Sequence, residues 1–159
     1  MELSQLIKLY WDESKGCESI PYLFKGNIVK YRILMLIVMI ALHIMADFHL
    51  QGLFINLKQK KWWKEQLITY SDAKRKFYEY DNVVALSLHA FEWTFFIMIP
   101  IFLLEKDISF ILIAFILNVI IHAVIDDCKC NKEIINLVQD QSIHLLQIVI
   151  TWFIFFFIL

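Results

Sequence analysis

The sequence predicts an all-α integral membrane protein, a four-helix transmembrane bundle with an N-terminal interfacial amphipathic helix, and three observations predict it. Four apolar runs each have the length of a membrane-crossing helix. Of the 159 residues, 60% are hydrophobic, with mean hydropathy +0.61, against about 45–50% apolar in an ordinary soluble domain. Within each run the polar residues are confined to one half. A chain this short cannot hide so much apolar surface from water by folding on itself, so lipid is the expected solvent. Sheets are excluded, because an open edge is unsatisfied in lipid and four strands cannot close a barrel.

Taken in order, Leu3, Leu6, Ile7 and Tyr10 fall on one face at helical spacing, so residues 1–12 read as a short interfacial helix. Pro21 and Gly26 break the chain after it, and residues 1–30 form an N-terminal segment ahead of a transmembrane domain over 31–159. The spans are expected at about 33–57, 83–104, 108–125 and 143–159. The first begins after a charged stretch and has no small-residue cleavage site, so it reads as a retained span and not as a signal peptide. Residues 58–82 carry Trp62, Trp63, Tyr70, Phe77, Tyr78 and Tyr80 among seven lysines and arginines, a composition suited to the headgroup layer. Glu105, Lys106 and Asp107 make a tight turn between antiparallel spans. Residues 126–140 read as a short polar loop.

Net charge is −1, which gives nucleic acid nothing to bind. Cys17, Cys128 and Cys130 are an odd count without a disulfide pattern and read as reduced thiols. Basic residues mildly favour the side holding the 58–82 and 126–140 loops as cytoplasmic.

The polar residues carry the functional reading. Residues 33–42, 95–104, 108–117 and 148–159 contain no acid, base, His, Asn or Gln. The other halves hold His43, Asp47, Gln51, His89, Glu92, Asn118, His122, His144 and Gln147, with Asp126 and Asp140 at their ends. In an up-down-up-down bundle these loaded halves fall in one leaflet. His43, Asp47 and Gln51 follow one another at i, i+4, i+8, as do Asn118, His122 and Asp126. Asp140 and His144 are at i, i+4. Each spacing puts its residues on one helix face. Ionisable groups at that depth cost about 2.5–3.5 kcal/mol each on insertion scales, so a set of them must neutralise itself or share a cation. Histidines beside carboxylates suit a divalent transition metal, zinc first, with manganese or iron as alternatives.

The expected ligands of one or two such ions are His43, Asp47, His89, His122, Asp126, Asp140 and His144. Glu92 or Asp47 would move protons, and Lys129, with Lys58, would hold a phosphate at headgroup level. Gln51, Asn118, Gln141 and Gln147 read as supporting residues, and His49 as outward-facing.

The order of these motifs resembles a group of small bacterial and phage membrane proteins, the domain-of-unknown-function family 3307. The likeness runs over about residues 40–147, through His43, Asp47, Phe48 and Gln51, then His89, then His122, Asp126 and Lys129, then Asp140, Gln141 and His144. It departs at Asp127, where an aromatic residue is expected. The resemblance implies the helical fold, the polar site and a multi-pass protein of the bacterial inner membrane. There is a looser likeness to inner-membrane metal-dependent hydrolases. The expected function is thus a membrane-embedded metal-dependent hydrolase of a lipid or lipid-linked phosphate or ester. A regulatory module bound to a membrane-protein partner or to a second copy, and a metal or proton relay, are the alternatives.

Overall fold

The computed structural model describes residues 28–104 and 108–158. The expected helix over residues 1–12, the break at Pro21 and Gly26, Cys17, and the 105–107 turn all lie outside the described residues. The chain divides into two compact units, Met1–Met35 and Leu36–Leu159. Of the first, the described part is the opening of helix α1, where Val29, Ile33 and Leu34 are exposed.

Every regular element among the described residues is helical. Helix α1 (Ile28–Ile44) passes into a π-helical turn (Met45–Leu50). Then come three short helices, α2 (Phe54–Leu57), α3 (Lys60–Gln66) and α4 (Asp72–Phe77). The long helices α5 (Asp81–Leu104), α6 (Ile108–Cys130) and α7 (Leu137–Phe153) follow, and α7 ends in a second π-helical turn (Ile154–Ile158). Four stretches are long and apolar enough to cross a membrane: Val29–Leu50, Asp72–Leu103, Ile108–Cys130 and Leu137–Phe157.

Several span boundaries differ from expectation, and those beside the polar cluster do so for separate reasons. The first span ends at Leu50, because Gly52 turns the chain at φ 44° and α2 starts afresh. Residues 126–140 are mostly helix, since α6 runs on to Cys130 and α7 begins at Leu137. Asp126, Lys129 and Asp140 looked like loop residues, yet their charges are neutralised inside the bundle by ion pairs. The cap of α7 is Asn136, which accepts from the Gln139 backbone at 3.0 Å while the Gln139 side chain accepts from the Asn136 N–H at 2.9 Å, a capping box.

The apolar halves supply the core of the second unit. Met39, Trp93, Ile97, Met98, Ile101, Ile111, Ile148 and Phe155 pack together there. Outward, Leu112, Ile116, Ile120 and Val124 form a stripe along α6, each more than half exposed. A continuous apolar stripe of this kind marks a surface that faces lipid. Pro100 sits inside α5, a position a membrane helix tolerates when neighbours re-satisfy the freed carbonyl.

Candidate metal centre

The polar ends of α1, α5, α6 and α7 meet in one place. His43, Asp47, His89, His122, Asp126, Asp140 and His144 are all buried there. Asp47 comes from the π-helical turn, a geometry that recurs at functional sites. His89 sits two turns into α5. His122 and Asp126 lie one turn apart near the end of α6, as do Asp140 and His144 at the start of α7.

His89 Nε2 is the hub. It lies 3.4 Å from Asp47 Oδ1, 3.4 Å from Asp126 Oδ2 and 3.4 Å from His122 Nε2. Gln51, whose Nε2 is 2.9 Å away, donates on to Asp47 Oδ1 at 3.3 Å. On the other side, His122 Nδ1 faces His144 Nδ1 at 3.2 Å. His144 Nε2 lies 3.2 Å from Asp140 Oδ1 and 3.6 Å from Asp126 Oδ1. Among the described residues, two groups could each hold a metal ion: Asp47, His89 and His122; and His122, Asp126 and His144. They share His122.

The donor set fits such an ion on two counts. A tetrahedral ion with nitrogen and oxygen ligands at about 2.0–2.1 Å sets those atoms about 3.3–3.4 Å apart, which is the spacing around His89 Nε2. His89 Nδ1 is also buried without a hydrogen-bond partner, and Asp126 Oδ1, Asp140 Oδ1 and His144 Nε2 have only their mutual 3.2 and 3.6 Å approaches. Leaving a buried polar atom unpaired costs about 1–3 kcal/mol, so the cluster keeps bonding capacity that a cation would take up.

Charge points the same way. Lys58, 3% exposed, reaches Asp126 Oδ2 at 2.5 Å, and Lys129 reaches Asp140 Oδ2 at 2.6 Å. Three buried carboxylates thus meet two ammonium groups, and the remaining charge is balanced by a cation, a protonated imidazole or a proton on one carboxylate. Lys58 is held in place by Asn131, which accepts from the Lys60 backbone at 2.8 Å and donates to the Lys58 carbonyl at 3.1 Å.

Of the expected ligands, five (Asp47, His89, His122, Asp126 and His144) fall in the two groups. His43 does not. Its Nδ1 accepts from Trp93 Nε1 at 2.8 Å and its Nε2 meets Gln141 Oε1 at 3.1 Å, so both ring nitrogens are engaged. Asp140 borders His144 outside the groups. Glu92 is half-buried on the flank of α5, where it makes no hydrogen bond or ion pair with the cluster; Trp93 occupies the inward position instead. Lys58 and Lys129 hold carboxylates. Cys128 and Cys130 are half-buried free thiols on α6, outside both groups, and His49 is exposed.

The sequence reading missed Trp93, whose ring stacks on His122 at 4.1 Å and 18°. The available signal was its position four residues after His89. A second polar network joins α6 to α7 deeper in the bundle. There Gln147 Nε2 and Thr151 Oγ1 donate to Asn118 Oδ1 at 2.8 and 3.1 Å.

No family model, curated protein or solved structure matches the chain.

Proposed function

We propose that the protein is a membrane-embedded metal-dependent hydrolase acting on a lipid or lipid-linked phosphate or ester. The observation that carries this reading is the pair of buried His/Asp groups sharing His122, at one end of a bundle whose outer surface is apolar. Asp47, His89, His122, Asp126 and His144 would hold the metal, zinc first. When bound, a divalent ion supplies Lewis acidity, making water acidic enough to attack near neutral pH and polarising the scissile group.

The chain's own residues would do the rest. Gln51 and Gln141 orient the Asp47 carboxylate from two sides. Trp93 and the apolar core below exclude water. Lys129, whose side chain is 27% exposed, stands between Asp140 and the outside and would meet an arriving phosphate. A carboxylate of the ligand shell, Asp47 first, would move protons.

The test is elemental analysis joined to turnover. Protein purified in detergent without chelator should carry one or two equivalents of transition metal and hydrolyse a phospholipid or lipid ester in mixed micelles. His122→Ala should remove both properties while leaving a monodisperse helical protein. Metal-free protein whose melting point is unmoved by His122→Ala would end this reading.

A further inference from the structure

Away from the His/Asp cluster, a second concavity lies where α3 and α4 meet the start of α5. It is a cavity of about 650 Å³. Lys60 and Lys64 line it from α3, Arg75 and Lys76 from α4, and Glu79 is its one acidic lining residue. Arg75 pairs with Asp72 at 2.8 Å, an ion pair whose carboxylate is 97% exposed, and such surface pairs hold weakly against a competing anion. The rings of Trp63 and Tyr78 stack at 5.7 Å and 16° along the same wall.

Two lining residues are buried, Leu67 and Asn82, and of these only Asn82 is polar. Asn82 is 3% exposed and its Nδ2 has no hydrogen-bond partner. A buried amide donor without an acceptor is costly, and the residue that carries it lines a cavity with four basic side chains. A ligand that relieves this arrangement must bring negative charge and several acceptor oxygens at once. Phosphate does both, and backing by Lys and Arg is its usual means of recognition.

Depth narrows the source. Asn82 is the second residue of α5, a 24-residue helix that at 1.5 Å per residue is about 36 Å long, enough to cross a bilayer core of about 30 Å and reach into its headgroup region. The cavity therefore opens where lipid phosphates lie, and the aromatic pair beside it suits that layer. We propose that this cavity binds the phosphate of an anionic lipid headgroup through Lys60, Lys64, Lys76, Arg75 and Asn82. The site stands independently of the metal centre and of any hydrolysis there.

Native mass spectrometry of the full chain in detergent tests it, with phosphatidylglycerol and phosphatidylcholine offered in equal amounts. The wild type should retain phosphatidylglycerol in preference. Lys64→Gln with Lys76→Gln should weaken that retention roughly tenfold or more, since each basic group near an anionic surface contributes measurably. Both lysines are exposed, so the double variant should keep the wild-type melting point. Asn82→Leu should weaken retention as well, and Glu79→Gln should strengthen it. Added inorganic phosphate separates the sources: a retained lipid assigns the site to headgroups, and a displaced one to soluble phosphates. Equal retention of the two lipids by the wild type, or unchanged preference in the double lysine variant, would overturn the proposal.

Discussion

The indole N–H of Trp93 donates to Nδ1 of His43 over 2.8 Å. Trp is a donor only, so the proton of His43 sits on Nε2 and is given to Gln141 Oε1. The Gln141 amide is then oriented to donate to Asp47 Oδ2 at 2.6 Å and Asp140 Oδ2 at 3.0 Å. One indole on α5 thereby sets the tautomer of a histidine on α1, an amide on α7, and through it the carboxylate of Asp47.

Trp93→Phe keeps most of the ring and removes the donor. It should lower stability by about 1–3 kcal/mol, the cost of a buried acceptor left unpaired, read as a fall in thermal midpoint in detergent. Because His43 lies outside the two metal groups, His43→Gln and Trp93→Phe should both retain metal. Loss of all metal in His43→Gln would return that residue to the ligand set.

The sharing of His122 makes a distinct prediction. His89→Ala and His144→Ala each damage one group, so each should keep part of the bound metal, whereas His122→Ala damages both and should keep none. Elemental analysis of the three variants side by side reads this directly. Equal, complete loss in all three would reduce the centre to a single site.

Much of this site was legible because helix periodicity is local. His122 with Asp126, and Asp140 with His144, are each one turn apart, and a four-residue step fixes a common face whatever the tertiary structure does. What was hidden depends on contacts between distant segments. Lys58 and Asp126 are 68 residues apart, so nothing nearby showed that Asp126 is neutralised inside the bundle, and the charges of 126–129 read as loop where α6 continues. Trp93, between Glu92 and Thr94, drew no functional reading, since an aromatic core residue and one that stacks on a ligand look alike in sequence. Glu92 and His89 are three apart, a step that leaves a 60° offset between them. That offset is enough to put one at the centre of the site and the other on its flank.

The Lys58–Asp126 pair should behave as a buried one. Lys58→Met leaves Asp126 without its ammonium partner and should cost about 3–5 kcal/mol, whereas the double replacement Lys58→Met with Asp126→Leu should cost less. Excess zinc should recover more stability in Lys58→Met than in the wild type, because a cation at Asp126 would replace the missing charge. A double-mutant cycle of thermal midpoints, with and without zinc, separates these effects.

Asn118 accepts from both Gln147 and Thr151, and Gln147 Nε2 also donates to the Asn118 carbonyl at 3.0 Å. This network joins α6 and α7 where their polar and apolar halves meet. Asn118→Leu removes the acceptor of two interhelical hydrogen bonds and should cost about 1.2 kcal/mol, at most about 3.4, at about 0.6 to 1.7 kcal/mol for each. Metal content should not change. A loss of metal in Asn118→Leu would mean that the network also sets the register of His122 against His144.

Gly52 turns the chain out of the first span with φ 44°. The turn comes directly after Gln51, which touches Asp47 and His89, and leads through α2 to Lys58, which holds Asp126. A Cβ at Gly52 would meet only the Leu50 carbonyl oxygen, at 3.5 Å, so space is adequate. The left-handed backbone is the obstacle, and it costs a residue with a Cβ about 1–2 kcal/mol. Gly52→Ala should therefore lower the thermal midpoint, and Gly52→Asn should lower it less, since Asn tolerates that conformation better. If the strain is instead relieved by the chain swinging out, Gln51 and Lys58 move together. Metal content would then fall with stability in Gly52→Ala and recover in Gly52→Asn. Equal melting points for Gly, Ala and Asn at this position would show that the turn carries no strain.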